Sequence, residues 1–282
     1  MALKQRLVSG VLLGGGALAG TIFLPPFFVP IILVSTTALV VFEFYSLLDA
    51  GKIPHFKVVG TISSLGLVLG TWLALSGKIP FGRELETMLL FAIFAVCFLR
   101  QLFYVGKESA WPTTAGTLLG IVYGGFLMNF MMKILADPQW SHAQGRYLFL
   151  LLIVVVKMTD IGAFFTGSYL GRHKLIPRIS PAKTWEGCVG GIVAGIAGGL
   201  VFSHFYSIRE GVHAFGPRAL VIIGFLLAIA GILGDLIESL FKRAAGVKDS
   251  GTMILGMGGI LDVLDSLLFA APVLYIAARI IG

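Results

Sequence analysis

The sequence has little charge for its length. Asp, Glu, Lys and Arg make up 12% of its 282 residues, whereas an ordinary soluble domain contains about 25% of them. Hydrophobic residues reach 57%, and the mean hydropathy is +0.95. This composition excludes a soluble globular domain. Because apolar runs of about 20 residues recur along the chain, we expect an all-α fold, that of a polytopic helical membrane protein.

The sequence is also poor in cysteine. Cys97 and Cys188 are the only two, and no CxxC pair or Cys/His cluster accompanies them, so neither a zinc site nor a structural disulfide is expected. The net charge of +7 is modest. In a membrane protein such an excess indicates cytoplasmic loops, and we expect no nucleic-acid partner.

The apolar runs predict about nine membrane spans in a single membrane domain, 1–282. Its N-terminal helices occupy 1–110, and the helices that carry the motifs below occupy 111–282. With a cytoplasmic N-terminus, thirteen Lys and Arg residues lie in inside segments and seven in outside segments, as the positive-inside rule requires. Both long charged loops, 171–184 and 241–257, then face the cytoplasm. The predicted spans are 7–24, 28–48, 57–76, 85–105, 113–136, 147–170, 185–208, 217–240 and 258–281.

Small residues line one face of the seventh predicted span. Residues four apart share a helix face, and small residues at that spacing let another helix approach closely. We favour packing within one subunit over a dimer seam. The residues of this face are Gly187, Gly191, Gly195 and Gly199.

Two opposite charges interrupt the sixth predicted span. Lys157 and Asp160 are three residues apart, so they share a helix face and can pair. A charge in the middle of a membrane costs about 3 kcal/mol on insertion scales. A neutralised structural pair is one interpretation. We favour the other, a polar cavity lined by Asp160.

A basic loop follows that span. Its charges are compatible with a loop that only sets topology, and His173 by itself indicates a loop residue. Topology does not account for the run SPAKTWEG, residues 180–187. There we predict a Ser-Pro turn that enters a new helix. The helix N-terminus, with Lys183 in its first turn, would attract a phosphate.

Carboxylates gather around the last charged loop. Asp235 and Glu238 close the eighth span, Asp262 and Asp265 begin the ninth, and the loop between them returns Asp249 to the same level. These five side chains can converge at one membrane boundary, where they would repel each other without a cation. Oxygen ligands of this kind suit Mg²⁺. The alternative is a helix hairpin with ordinary interfacial charges at its ends.

Basic residues and glycines accompany these carboxylates. Lys242, Arg243 and Lys248 offer counter-charges, and Gly258 and Gly259 let the backbone approach a phosphate closely. Acidic and basic groups in such company favour metal-assisted phosphoryl or nucleotidyl transfer.

Two motifs carry a specific resemblance. The first is Ser239-x-Phe241-Lys242-Arg243, then Lys248-Asp249-Ser250-Gly251, then Gly258-Gly259-Ile260-x-Asp262-x-x-Asp265. The second, upstream of it, is Asp160-x-Gly162-Ala163 with Ser180-Pro181-x-Lys183-Thr184-x-Glu186-Gly187. In this order they resemble the motifs of phosphatidate cytidylyltransferases, also called CDP-diacylglycerol synthases. They span most of the C-terminal half, while the N-terminal half matches only in hydropathy.

The resemblance implies a reaction of phospholipid biosynthesis, in which CTP and phosphatidic acid give CDP-diacylglycerol and pyrophosphate. Phosphatidate itself supplies the attacking oxygen, so no side-chain nucleophile is expected. The resemblance also implies one or two Mg²⁺ ions, with or without a monovalent cation such as K⁺. The size and predicted topology of the chain indicate a bacterial inner membrane with the active site facing the cytoplasm. A homodimer is compatible with the resemblance and with the glycine face.

The resemblance assigns a role to each candidate residue. The expected metal ligands are Asp235, Glu238, Asp249, Asp262 and Asp265. The expected catalytic residues are Asp235, Lys242, Arg243, Lys248, Asp249 and Asp265. The expected substrate contacts are Asp160, Arg178, Ser180, Pro181, Lys183, Thr184, Glu186, Lys242, Arg243, Lys248, Gly258 and Gly259.

The chain departs from the family pattern at three positions. Leu255, Met257 and Val263 stand where the family usually has proline, histidine and arginine. The carboxylates and basic residues of the first motif all remain, so we expect an active enzyme rather than a catalytically silent relative.

An ion-coupled transporter is a further alternative, although no inverted repeat is present. A CDP-alcohol phosphotransferase is disfavoured because its run of aspartates with DGxxAR is absent.

Overall fold

A computed structural model describes residues 28–78, 84–104, 110–212, 215–251, 253 and 258–281. Within these ranges, eight helices are long and apolar enough to cross a membrane. The only sheet in the same ranges is a two-stranded hairpin. These features confirm the expected all-α, polytopic membrane protein. The first predicted span, 7–24, lies outside the described residues.

The helices follow the predicted spans in order. They are α1, Phe28–Ala50; α2, Lys57–Leu75; α3, Glu84–Leu102; α4, Ala110–Ala136; α5, His142–Leu170; α6, Trp185–Glu210; α7, Pro217–Ala244; and α8, Ile260–Ile281. Strands β1, Lys174–Ile176, and β2, Ser180–Thr184, form an antiparallel hairpin between α5 and α6. The chain divides into two compact units. The first comprises Met1–Pro138 with Phe241–Val263, and the second comprises Gln139–Leu240 with Leu264–Gly282.

Aromatic rings form the centre of the first unit. Phe44 of α1 and Tyr123 of α4 stack with ring centroids 4.9 Å apart, and Phe241 packs edge-on against both rings. The buried Tyr45 donates a hydrogen bond from its hydroxyl to the carbonyl oxygen of Thr117 over 2.8 Å. These contacts join α1, α4 and the last residues of α7 in one apolar core.

A π-helical segment, Ile121–Phe126, interrupts α4. It contains Gly124, where an added Cβ would lie 2.6 Å from Cγ2 of Val41 on α1. The missing side chain therefore allows α4 to approach α1 closely. A π segment is one extra residue accommodated within a helix, and the apolar pattern of the sequence does not predict it.

The second unit is organised by the packing of α5 against α6. An added Cβ on Gly191 would lie 2.8 Å from the carbonyl oxygen of Thr159 on α5, closer than real Cβ contacts. This confirms that the glycine face packs within the chain, as favoured over a dimer seam. All four predicted glycines are buried, namely Gly187, Gly191, Gly195 and Gly199.

Two local predictions are wrong. Ser180 and Pro181 belong to strand β2 rather than to a turn, and the turn lies at residues 177–179. The last charged loop begins later than residue 241, because α7 continues to Ala244 and places Lys242 and Arg243 in its last turn. Cations are stabilised there by the partial negative charge of a helix C-terminus.

The Gly191 contact predicts a large effect for a small substitution. Gly191→Ala should lower the melting temperature of the protein in detergent, because overpacking costs about 1–3 kcal/mol and better helix propensity returns at most about 1 kcal/mol. The matched control is Gly66→Ala on α2, where an added Cβ meets no atom within 4 Å. This control should be neutral or stabilising. Equal melting temperatures for the two variants would contradict the packing.

Candidate functional site

Three carboxylates meet in the second unit. Asp235 and Glu238 lie one turn apart on α7, and Asp265 lies in the second turn of α8. One oxygen from each side chain falls within 4.8 Å of the others. Glu238 is fully buried, and Asp265 is 6% exposed. We call these three residues the acidic group.

A glycine brings the two helices of the acidic group together. An added Cβ on Gly234 would lie 2.6 Å from the carbonyl oxygen of Asp265. Any side chain at this position would therefore push α7 and α8 apart and separate Asp235 from Asp265. The backbone N–H of Ser266 donates to Oδ1 of Asp265, which fixes the orientation of that carboxylate.

Lys183 supplies the nearest positive charge. Its Nζ lies 2.7 Å from Oδ2 of Asp235 and also donates to the carbonyl oxygen of Ile232 over 3.4 Å. The prediction that Lys183 lies in the first turn of a helix is wrong. Lys183 belongs to strand β2, and α6 begins two residues later behind Thr184, whose hydroxyl caps it by accepting from the N–H of Gly187.

The Lys157 and Asp160 side chains pair on α5, with Nζ and Oδ2 3.4 Å apart. Asp160 also lies within electrostatic range of Asp235 and Lys183. The pair is therefore part of a larger charged cluster around the acidic group, and it is about 40% exposed. The charged pair is thus present, and a polar cavity lined by Asp160 stays a prediction.

The cluster suits a hard cation. Oxygens that bind one Mg²⁺ or Ca²⁺ are separated by at most about 4–5 Å, since metal–oxygen distances are about 2.0–2.6 Å. The spacing of the acidic group falls within that limit. Four carboxylates face two lysines here, which leaves a formal excess of two negative charges when all are ionised. An acidic group able to hold a divalent cation is thus present.

Glu186 has a structural role that the sequence did not predict. Its carboxylate accepts hydrogen bonds from the backbone N–H groups of Arg172 and His173, each over 3.2 Å. It also pairs with Nδ1 of His173 over 2.6 Å. Glu186, in the first turn of α6, therefore holds the residues just before the hairpin by hydrogen bonds. A contact between Glu186 and substrate stays a prediction.

In the first unit, Asp262 is engaged by hydrogen-bond donors. Its Oδ1 lies 2.6 Å from Nζ of Lys242, and its Oδ2 accepts from the N–H of Ser250 over 2.9 Å and of Gly259 over 2.7 Å. The Ser250 hydroxyl also approaches Oδ2. Asp262 thus holds the last charged loop against α8 and does not belong to the acidic group.

Glu43 is a buried polar residue for which the sequence motifs predict no role. It is 5% exposed within α1. Its two oxygens accept from the backbone N–H groups of Ile260 over 3.0 Å and Leu261 over 2.8 Å. The available signal was a lone carboxylate in an apolar run, VVFEFYS, since intramembrane charges are costly and usually functional.

The remaining candidates lie at exposed positions or have local roles. Arg178, Pro181, Arg243, Lys248 and Asp249 are exposed, and Ser180 is half-buried. Asp249 does not belong to the acidic group. Gly258 has a φ of +93°, and an added Cβ there would contact Oδ2 of Asp262. Val263 is half-buried on α8, while Leu255 and Met257 lie outside the described residues. Substrate or metal contacts by these residues stay predictions.

The chain is similar to known proteins over nearly its whole length. The model of the Cytidylyltransferase family matches residues 4–281. A phosphatidate cytidylyltransferase of Haemophilus influenzae is 31% identical over 282 residues, which cover 96% of each chain. One of Staphylococcus saprophyticus is 32% identical over 88% of this chain and 93% of its own. One of Brucella suis is 39% identical over 60% of this chain and 57% of its own.

The acidic group predicts that cation binding depends on Asp265. In detergent, Asp265→Asn should weaken Mn²⁺ binding, followed by electron paramagnetic resonance, at least about tenfold, because it removes one ligand and one charge. Asp49→Asn is the control, since this exposed carboxylate pairs with Lys57 on the surface of α1 and α2. Equal Mn²⁺ affinity for wild type and Asp265→Asn would contradict the assignment.

Proposed function

The chain belongs to the cytidylyltransferase family, and we propose that it transfers the cytidylyl group of CTP to phosphatidic acid, forming CDP-diacylglycerol and pyrophosphate. The observation that carries this proposal is the acidic group with Lys183 beside it. The relatives named phosphatidate cytidylyltransferase, which match this chain over up to 96% of its length, support the choice of substrates.

The chemistry needs no nucleophilic side chain. An ionised phosphate oxygen of phosphatidic acid attacks the α-phosphorus of CTP, a new P–O bond forms, and the bond to the β-phosphate oxygen breaks to release pyrophosphate. Every reacting group is an anion, so catalysis must consist mainly of positioning and of charge neutralisation.

The acidic group would hold one or two divalent cations, of which Mg²⁺ suits its oxygen ligands. A monovalent cation such as K⁺ is compatible with the same ligands. When bound, a divalent cation supplies charge neutralisation and Lewis-acid polarisation of phosphate oxygens. Asp235 and Asp265 would orient it from two helices that Gly234 keeps in contact. Glu238, which is fully buried, would bind the cation from the side facing the protein interior.

Basic residues would balance the phosphates. The Lys183 ammonium lies at the acidic group and would contact a phosphate oxygen of the bound substrate. Lys242, Arg243 and Lys248 would contact the triphosphate, with Asp249 beside them in the signature. Further substrate contacts are proposed for Asp160, Arg178, Ser180, Pro181, Thr184, Glu186, Gly258 and Gly259, and metal contacts for Asp249 and Asp262.

The apolar helices show an integral membrane protein, and its relatives named above are bacterial. We propose the bacterial inner membrane as its location, with the active site facing the cytoplasm, where CTP is available. Phosphatidic acid would enter from the bilayer between helices. A single functional domain over 1–282 and a homodimer are part of the same proposal.

The proposal is tested with purified protein in liposomes that contain phosphatidic acid. Labelled CTP with Mg²⁺ should yield labelled CDP-diacylglycerol, and a chelator should abolish the product because the acidic group requires a cation. Labelled UTP and ATP serve as controls for the nucleotide. Absence of product from folded protein, across several acyl chains and divalent metals, would refute the proposal and favour a silent relative.

Lys183 should be needed for turnover rather than for folding. Lys183→Met should lower kcat/KM for CTP about 10²–10³-fold, because it removes a positive charge that stabilises the departing pyrophosphate. Lys174→Met in strand β1 is the matched control, since Lys174 is exposed in the same hairpin, opposite Thr184. Similar kcat/KM values for both variants would rule out the role given to Lys183.

A further inference from the structure

Glu43 is a buried carboxylate that the mechanism above does not use. It lies in α1 among apolar residues and is 5% exposed. Burying a carboxylate is costly unless donors surround it. The structure supplies these donors from a distant part of the chain, namely Ser250 of the last charged loop and the first turn of α8.

The first donors are the backbone groups of α8. Oε1 accepts from the N–H of Ile260 and Oε2 from the N–H of Leu261, over 3.0 and 2.8 Å. N–H groups in the first turn of a helix have no acceptor within the helix, and a negative charge is favoured at that end. Glu43 therefore caps α8 from another helix.

A hydroxyl connects Glu43 to the basic residues of the signature. The Ser250 Oγ lies 3.3 Å from Oε2 of Glu43 and 2.8 Å from Oδ2 of Asp262. Its single proton can be donated to one of these carboxylates at a time. Asp262 in turn pairs with Nζ of Lys242 over 2.6 Å. A continuous polar chain thus runs from Glu43 to Lys242.

Two signature glycines make room for the Glu43 carboxylate. An added Cβ on Gly251 would lie 2.8 Å from Oε1, and one on Gly259 would contact Oε2. Both positions therefore need to lack a side chain for Glu43 to reach the backbone. The Glu43 carboxylate thus fits against glycines more than 200 residues away in sequence, which indicates a specific tertiary contact.

We propose that Glu43 is a positioning residue for cytidylyl transfer. It fixes the start of α8 and Ser250, and through them the Asp262–Lys242 pair, so that the Lys242 ammonium stands at a fixed place for a phosphate. The proposal rests on the proposed function, which assigns Lys242 to the triphosphate. Glu43 itself touches no reacting atom in this scheme.

Glu43→Gln tests the proposal, because it keeps the size of the side chain but replaces one acceptor oxygen by an amide nitrogen. One of the two α8 N–H groups then loses its acceptor. Hydrogen exchange of a peptide containing Ile260 and Leu261 should accelerate, and kcat should fall on the order of 100-fold, as displacement of a positioned group by about 1 Å produces. The KM for phosphatidic acid should not change.

Tyr45→Phe is the matched control. It lies two residues away on the same helix and removes one buried hydrogen bond, from the Tyr45 hydroxyl to Thr117, without touching the signature loop. It should leave kcat and the exchange of the α8 peptide unchanged. The proposal is overturned if the Glu43→Gln and Tyr45→Phe variants have similar kcat values and similar melting temperatures. It is also overturned if hydrogen exchange of the α8 peptide in Glu43→Gln equals that in wild type.

If Glu43→Gln does not fold, Ser250→Ala cuts the polar chain and leaves the α8 cap intact. It should lower kcat at an unchanged melting temperature, and a wild-type kcat would overturn the proposal. If wild-type protein makes no CDP-diacylglycerol, the proposed function fails. The exchange comparison still decides whether Glu43 holds the start of α8.

Discussion

Carboxylates buried among apolar helices are the constraint on which this structure depends. Each one costs about 3 kcal/mol to place in a membrane centre, so each must be compensated by donors, counter-charges or a cation. In the acidic group, Asp235, Glu238 and Asp265 bring like charges within 4.8 Å. Lys183 and Lys157 offset only part of that charge. A bound cation would supply the remaining positive charge and would allow α7 and α8 to approach closely at Gly234.

The first unit meets the same constraint in a different way. Glu43 and Asp262 receive backbone N–H groups, the Ser250 hydroxyl and the Lys242 ammonium. Their oxygens are occupied by donors that belong to the protein. This contrast gives a physical criterion for the signature carboxylates. Glu43 and Asp262, which donors surround, hold the last charged loop in place, and the three carboxylates that face each other in the acidic group are the ones best suited to a cation.

Much of the fold follows from the sequence, because it depends on local patterns. Apolar runs predict the eight described helices, and the four-residue spacing of glycines predicts close packing of α6 within the chain, although not that α5 is its partner. The errors occur where distant partners decide. Ser180 and Pro181 form a strand because β2 pairs with β1, and Lys183 on β2 is positioned by Asp235 on α7. Spacing also does not predict that Lys242 and Ser250 contact Asp262. Glu43 was missed because its partners lie more than 200 residues further along the chain.

We propose that the acidic group binds a divalent cation. The most direct measurement is an anomalous difference map from crystals of the protein grown with Mn²⁺. The account predicts a peak about 2–2.5 Å from oxygens of Asp235, Glu238 and Asp265. A peak beside other residues, or none at a Mn²⁺ concentration that supports turnover, would contradict the account.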